Sequence, residues 1–368
     1  MTKKTRVGIL FGGKSAEHEV SLQSAKNVVE AIDKNKYEVV LIGIDKSGRW
    51  YLNDASRFLL NADNPKLIAL NQSSESVALL PGGSDKQELV SLSRDESHGP
   101  VDVVFPILHG TYGEDGTVQG LLKLANVPFV GAGVLGSAVG MDKDVMKRLL
   151  RDAGLPIPKF LTFHKHAAAA IDFEKVKVHL GLPMFVKPAN SGSSVGIHKI
   201  KDEKQFAGFV ADAFQYDNKI LFEEAIAGRE IECSVLGNEN PIASVPGEII
   251  PQHEFYSYEA KYIDEQGALL EIPAKLPEET VARVQTLAVQ AFQSLCCEGM
   301  ARVDFFLKEN GELLLNEINT IPGFTKISMY PKLWEVSGIS YPDLIDRLIQ
   351  LAIERFEKEK QLKTSVDL

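Results

Sequence analysis

Along the first third of the chain, short β-branched runs alternate with amphipathic stretches, the pattern of a parallel sheet covered by helices. Val7 to Phe11 reads as a strand and Gly12-Gly13 as its turn. Leu22, Ala25, Val28, Val29 and Ile32 then recur at helical spacing before a second strand, Val39 to Ile44. Val101 to Phe105 predicts a further strand. The loop His109 to Gly116 follows it, then a short helix carrying Val118, Leu121, Leu122 and Ala125, and an edge strand from Pro128 to Val130. Together these elements predict a Rossmann-like domain. Residues 46 to 99 are polar, rich in Asn and Ser and weakly periodic, and read as an insertion on that sheet.

Met141 to Ala153 predicts a helix stopped by Gly154, with Pro156 and Pro158 just beyond, and a second domain begins near this point. Its pattern is a helix before Gly181, strands at Met184 to Lys187 and Val195 to Ile200, a helix carrying Phe206, Phe209, Val210 and Phe214, and a strand from Ile220 to Glu224. A third domain opens with the strand Glu230 to Leu236. A polar aromatic loop near 252 to 268 precedes a long helix from Pro277 to about Cys296, and then a hairpin pairs Ala301–Leu307 with Glu312–Asn319 across Lys308-Glu309-Asn310-Gly311.

Composition narrows the class. In 368 residues, 44% are hydrophobic and 24% charged, as in a soluble globular protein of two or three domains. Forty Lys and Arg against fifty Asp and Glu give a net charge of -10, which argues against a whole-chain nucleic-acid or anionic-membrane binder, so an anionic ligand must meet a local cation cluster. Cys233, Cys296 and Cys297 form neither a disulfide framework nor a metal motif, and the adjacent pair reads as core thiols at a helix end. The apolar run at Val7 is too short for a signal sequence, and no stretch approaches transmembrane length. The expected location is the cytoplasm.

The C-terminal hairpin holds the most informative candidate chemistry. Arg302 and Asp304 share one strand face, and Leu313, Leu315, Glu317 and Asn319 share a face of the partner strand. If Leu307 pairs with Glu312, Asp304 sits opposite Leu315 and diagonal to Glu317, and a one-residue slip would undo that. Two carboxylates and an amide oxygen would suit Mg2+; the same spacing also describes a solvated hairpin face. Lys187 at a strand end before Asn190-Ser191-Gly192-Ser193-Ser194-Val195-Gly196 could meet phosphate, with Lys143 as a second cation, or could be an ordinary lysine before a Gly/Ser turn. Gly8 to Ser15 formally fits the P-loop pattern, but Ile9, Leu10 and Phe11 continue the strand past Gly8, so the match is accidental. Ser15, Glu17 and His18 lie where open α/β sheets bind ligands. Glu17 reads either as a partner for a substrate ammonium or as a helix-capping carboxylate.

In this order the motifs resemble the D-alanine-D-alanine ligases of the ATP-grasp superfamily, over nearly the whole chain. They are FGGKSAEHEVSL (Phe11 to Leu22), HGTYGEDG (His109 to Gly116), MDK (Met141 to Lys143), Lys187-Pro188 with GSSVG (Gly192 to Gly196), EAKY (Glu259 to Tyr262), RVD (Arg302 to Asp304) and NEINTIPG (Asn316 to Gly323). The resemblance implies a three-domain ATP-grasp architecture of mixed α+β and α/β class. Residues 1–131 would form a Rossmann-like N-terminal domain, 132–227 the central ATP-grasp subdomain, and 228–368 the C-terminal one. It further implies ATP-dependent ligation of two D-alanine molecules through an acylphosphate for peptidoglycan synthesis, in a homodimer.

By position, ATP would meet Lys143, Lys187, Ser194, Glu223, Ala225, Ile226, Glu230 and Lys261. Asp304, Glu317 and Asn319 would hold Mg2+ or Mn2+, as two ions. Glu17, Ser193, Tyr262, Arg302 and the Gly323 amide would act in catalysis, and Glu17, His109, Ser328 and Met329 would bind substrate. Without the resemblance, Glu223 and Glu230 would pass as surface charges at strand ends. The rival readings are an ATP-grasp ligase with another second substrate, a non-catalytic nucleotide sensor on this fold, and a P-loop NTPase.

Overall fold

Side chains of β1 (Thr5–Gly12) alternate between two cores. Val7, Ile9 and Phe11 enter one and Leu10 the other, so the strand is covered on both faces, as a parallel strand must be. The computed structural model describes residues 3–54, 56–72, 75–80, 88–94, 96–192, 195–251, 268–325 and 327–363. After β1 come α1 (His18–Ala31), β2 (Tyr37–Ile44), β3 (Trp50–Asn53), β4 (Leu59–Leu60), β5 (Ala69–Leu70), β6 (Val77–Leu79), β7 (Glu88–Ser91), β8 (Ser97–Pro100) and β9 (Val103–Ile107). Strand order is β3-β2-β1-β9, parallel except for the edge strand β3. The expected edge strand at Pro128–Val130 reduces to a single parallel bridge, Val104 to Phe129.

The segment 46 to 99 is part of the sheet's architecture. β3 extends the sheet, and β6-β7-β8 form a small antiparallel sheet whose Val77, Leu79 and Leu89 pack on Leu10, Ile42 and Val104 together with α2 (Thr117–Leu124). The opposite face is covered by α1 and by helices from the far end of the chain.

The helix expected at 141–153 is α4 (Lys143–Asp152), and an unexpected helix, α3 (Val134–Met141), precedes it, separated by Asp142. Asp142 has an extended backbone, and its carboxylate caps the amides of Asp144 and Val145 while accepting from Lys219 Nζ at 2.7 Å. A strand missed in the sequence, β10 (Phe160–His164), follows. Then come α5 (Phe173–Leu180), β11 (Met184–Pro188), β12 (His198–Ile200), which is shorter than expected, α6 (Glu203–Tyr216) and β13 (Lys219–Glu224). This antiparallel sheet, ordered β10-β13-β11-β12, is covered on one face by α5 and α6.

The third sheet is β14 (Arg229–Gly237), β15 (Ile242–Ala243), β16 (Gly247–Pro251), β17 (Ala268–Glu271), β18 (Gly299–Leu307) and β19 (Leu313–Asn319), ordered β17-β16-β14-β18-β19 with β15 on β14. α7 (Glu278–Ser294) and α4 bury one face through Val284, Ala288, Phe292, Met146 and Leu150. The chain ends in α8 (Met329–Val336) and α9 (Tyr341–Glu359), whose Tyr330, Trp334, Leu344 and Leu348 join the core of the N-terminal sheet. Buried Arg355 of α9 clasps that sheet by donating to the carbonyls of Phe129 and Gly131. The Cys296-Cys297 pair divides: Cys297 is buried, while Cys296, at φ +53, is exposed.

Candidate active site

The β18–β19 hairpin differs from the expected register in two ways that together restore the expected face. Leu307 pairs with Leu313 rather than Glu312, and a bulge leaves Asn316 unpaired between Leu315 and Glu317. The two one-residue shifts add, so Asp304 lies directly opposite Glu317 and Arg302 opposite Asn319. Leu313 and Leu315 do not share that face; they join Phe305 and Leu307 in the core. The bulge is therefore what turns an apolar strand into one that presents carboxylate and amide groups on the other side.

Arg302 reaches Asp304 with two hydrogen bonds of 2.7 Å, and its Nε lies 3.0 Å from Glu232 Oε2. On β14 Ile231 and Cys233 point into the core, so Glu230 and Glu232 share the polar face with Arg302. Asn319 Oδ1 is buried with no hydrogen-bond partner among the described residues. Such an atom, beside two facing carboxylates, fits a hard cation, and the all-oxygen donor set suits Mg2+.

The central sheet presents its own polar face. Val186 and Phe222 are core, so Lys187 and Glu223 project from the other side. Glu223 is no surface charge. It is 1% exposed, with Lys187 Nζ 2.6 Å from Oε1 and Lys147 Nζ 2.5 Å from Oε2. Burial alone would raise its pKa, but the two ammonium groups outweigh that and hold its carboxyl below the usual range. Lys147 escaped the sequence reading. Its signal was position: Lys143, Met146, Lys147 and Leu150 form one buried stripe on α4, with a lysine where an apolar residue belongs.

Lys143 opens α4, where the helix dipole disfavours a cation. It is held there by bonds from its amide to Ala189 O and from Nζ to Ser191 O, and Nζ lies 3.4 Å from Glu317. Ala225 and Ile226 are half-buried in the link between β13 and β14.

At the carboxyl edge of the N-terminal sheet, Gly12 takes φ +91, and a Cβ there would stand 2.2 Å from Ile44 O. The turn it permits leads to Glu17, buried at the start of α1. The side chain of Glu17 makes no capping bond and points into the cavity, so the capping reading fails. Its amide donates to Ser15 Oγ, which donates to His109 O. His109 itself lies behind the wall. Burial depresses its pKa, so the ring is neutral; Nδ1–H donates to Ile321 O at 3.0 Å and Nε2 accepts from Ser24.

Glu114, also unanticipated, lines the cavity near Glu17 and accepts from the amides of Gly110 and Ile321. Burial, and then the Glu17 charge, push its pKa up to about 8. Gly323, Ser328 and Met329 complete the wall. A Cβ on Gly323 would stand 2.6 Å from Ser328 Oγ, which accepts from Thr325 N. Ser193, Ser194, Lys261 and Tyr262 lie outside the described residues.

One cavity of about 410 Å³ thus collects Glu17, Glu114, Lys143, Glu230, Arg302, Asp304, Glu317, Asn319, Gly323, Ser328 and Met329 from the N-terminal and third sheets, their loops and the start of α4, with Ser191 and Gly192 of the loop after β11; Lys187, Glu223, Ala225 and Ile226 do not line it. That volume suits small molecules.

Comparison with known proteins identifies the family. Residues 6–132 match the D-ala D-ala ligase N-terminus family and residues 149–350 the D-ala D-ala ligase C-terminus family. A D-alanine--D-alanine ligase of Shouchella clausii is 63% identical over 363 residues, 99% of this chain and 98% of the relative. D-alanine--D-alanine ligase A of Escherichia coli K12 is 57% identical over 364 residues, covering 99% and 100%. Among solved structures, the D-alanine-D-alanine ligase of Coxiella burnetii superposes with a TM-score of 0.84 at 40% identity, covering 98% of this chain and 97% of that one. A D-Ala:D-Ser ligase of Enterococcus faecalis gives 0.83 at 36%, covering 95% and 100%. These matches in sequence and fold show that the chain belongs to the D-alanine-D-alanine ligase family, an ATP-grasp fold.

Proposed function

We propose that the chain joins two D-alanine molecules to D-alanyl-D-alanine at the expense of ATP, for peptidoglycan synthesis, with the residues of this cavity in the following roles. The observation that carries the reading is the meeting in one cavity of a buried carboxylate for an ammonium (Glu17), a cation for phosphate (Lys143) and a braced guanidinium (Arg302). Glu17 holds the ammonium of the first D-alanine, with Ser193 and Tyr262 in support. A carboxylate oxygen of that first D-alanine attacks the γ-phosphorus of ATP; ADP leaves and the D-alanyl acylphosphate remains. Lys143 and Lys187 neutralise the phosphates, aided by Ser194 and Lys261, while Glu223, Glu230, Ala225 and Ile226 receive the nucleoside.

Ser328 Oγ and the Met329 amide hold the second carboxylate. The second amine, once deprotonated, attacks the acyl carbon, and phosphate departs with the original carboxylate oxygen. Arg302, fixed by Asp304 and Glu232, and the Gly323 amide stabilise the tetrahedral oxyanion. His109 acts at one remove on the substrate, through Ser15, by fixing the backbone that carries Glu17.

Asp304, Glu317 and Asn319 are the residues that fit Mg2+ or Mn2+, which would supply charge neutralisation during phosphoryl transfer. A homodimer in the cytoplasm completes the proposal. Free thiols suit that compartment. Among the described residues no helix is long and apolar enough to cross a membrane.

The test is phosphate release from ATP with D-alanine, L-alanine or no amino acid, with products read by mass spectrometry. Release that requires D-alanine and matches D-alanyl-D-alanine supports the reading. Release without dipeptide points to another acceptor, and no D-alanine dependence points to a nucleotide sensor.

A further inference from the structure

Lys147 is 1% exposed and sits where α4 meets both ATP-grasp sheets. Its ammonium has two partners. One is Glu223 Oε2 at the end of β13, at 2.5 Å; the other is the backbone carbonyl of Asn316 in the β19 bulge, at 3.0 Å. Neither contact is a generic helix interaction. Glu223 already has Lys187 on its other oxygen, so one carboxylate is shared by two buried cations. The surplus positive charge is offset by Glu317, whose field acts on both Lys147 and Lys187. Asn316 is the residue whose extrusion sets Glu317 opposite Asp304. A buried lysine bearing this desolvation cost, where Met or Leu would pack, calls for a role.

We infer that Lys147 is a positioning residue for the ligase: a single buried ammonium that orients Glu223 at the nucleotide-base end of the cleft and anchors the Asn316 bulge that brings Glu317 to Asp304. Because Lys147 touches both ends, it sets their spacing, and its removal disturbs base recognition and the oxygen-donor face together. The inference rests on the proposed reception of the nucleoside by Glu223, taken here as the acid that meets the adenine amino group, with Glu230 at the ribose. Without Lys147, Glu223 loses one of its two cations and the Asn316 carbonyl loses its donor. The bulge is then free to slip, and a one-residue slip turns Glu317 toward the core.

The test uses the full chain as wild type, Lys147→Met and Lys147→Arg, with folding checked by circular dichroism. Calorimetry in chelator measures ADP against IDP, which carries an oxygen in place of the adenine amino group. Electron paramagnetic resonance measures Mn2+ binding without nucleotide. The wild type should prefer ADP by about tenfold or more, as a site that hydrogen-bonds an amine does. Lys147→Met should lose most of that preference and bind Mn2+ about threefold more weakly or worse, about 0.6 kcal/mol; Lys147→Arg should restore part of both.

A Lys147→Met protein that keeps both properties, or changes only one, overturns the inference, whatever its melting temperature. If Lys147→Met does not fold, Lys147→Gln keeps a donor for the carbonyl but no charge for Glu223. It should lose base preference and retain Mn2+ binding; the reverse pattern overturns the inference. A wild type that binds ADP and IDP equally overturns the base placement and the inference with it, whereas a normal wild type with an unaffected Lys147→Met refutes the role of Lys147 alone.

Discussion

Replacing Glu114 with Gln tests the electrostatics of the substrate end. Glu114 is buried, and desolvation together with the nearby Glu17 charge raises its pKa from 4.5 to about 8. The unfolded chain loses this proton near 4.5 while the folded chain keeps it, so the unfolded state binds fewer protons across the window between. Stability contributed by Glu114 is therefore complete below the unfolded pKa and is lost as pH rises toward the folded one. Each pH unit inside the window removes up to about 1.4 kcal/mol, so about 3 kcal/mol disappears between roughly pH 5.5 and 7.5. Gln cannot ionise. It also gives up one acceptor for the Gly110 or Ile321 amide, a loss of about 1–3 kcal/mol that does not vary with pH.

Urea unfolding of the wild type and Glu114→Gln, followed by circular dichroism at half-unit steps of pH, gives both curves. The wild type should lead at acid pH, and its lead should shrink by about 2–3 kcal/mol by neutrality. Adding Glu17→Gln to the wild type should move the window to lower pH, because the like charge is gone. Parallel curves, or a wild-type lead that grows with pH, would refute the assignment of a protonated Glu114.

Lys187→Ala should weaken ATP binding by about tenfold or more, whereas Lys14→Ala, an exposed residue lying over the Tyr112 ring, should change it by less than about twofold; calorimetry giving the opposite ranking would favour a P-loop reading. Glu317→Gln should lower Mg2+-dependent turnover by about tenfold or more, far more than it lowers folding stability, although the charge facing Lys143, Lys147 and Lys187 is lost; equal loss of both would count against a metal role. Gly323→Ala forces a Cβ toward Ser328 Oγ and displaces the oxyanion amide, so kcat should fall about a hundredfold while ADP affinity is unchanged; a fall in ADP affinity of the same size would remove Gly323 from the transfer step.

What could be read in the sequence was local. Val7 to Phe11 and the Gly12-Gly13 turn specify β1 and its exit by period and backbone freedom alone, and the accidental P-loop is exposed by Gly8 lying inside the strand. The face shared by Arg302, Asp304, Glu317 and Asn319 was also legible, although by a register one residue off and without the bulge; parity survived because both shifts acted together. A bulge leaves no mark in a run such as Leu313 to Asn319, since it depends on what receives the extra carbonyl, here Lys147 from 169 residues away.

Lys147 is missed, and Glu223 reads as a surface charge without the resemblance, for the same reason. A charged residue in an amphipathic element defaults to solvent, and only the meeting of α4 with β13 buries both. The strands at 50 to 100 run only two to four residues, too few for a period to emerge, yet β6, β7 and β8 with α2 cover one sheet face. Glu114 lay within a noticed motif, but its burial is set by Ile321, far along the chain.

The central claim is that a D-alanine carboxylate is activated by phosphoryl transfer in this cavity. It is tested most directly by supplying D-alanine labelled with 18O in its carboxyl group, with unlabelled ATP and Mg2+, and analysing the released phosphate by mass spectrometry. One labelled oxygen should appear in phosphate for each D-alanyl-D-alanine formed. Dipeptide formation with unlabelled phosphate would contradict the account.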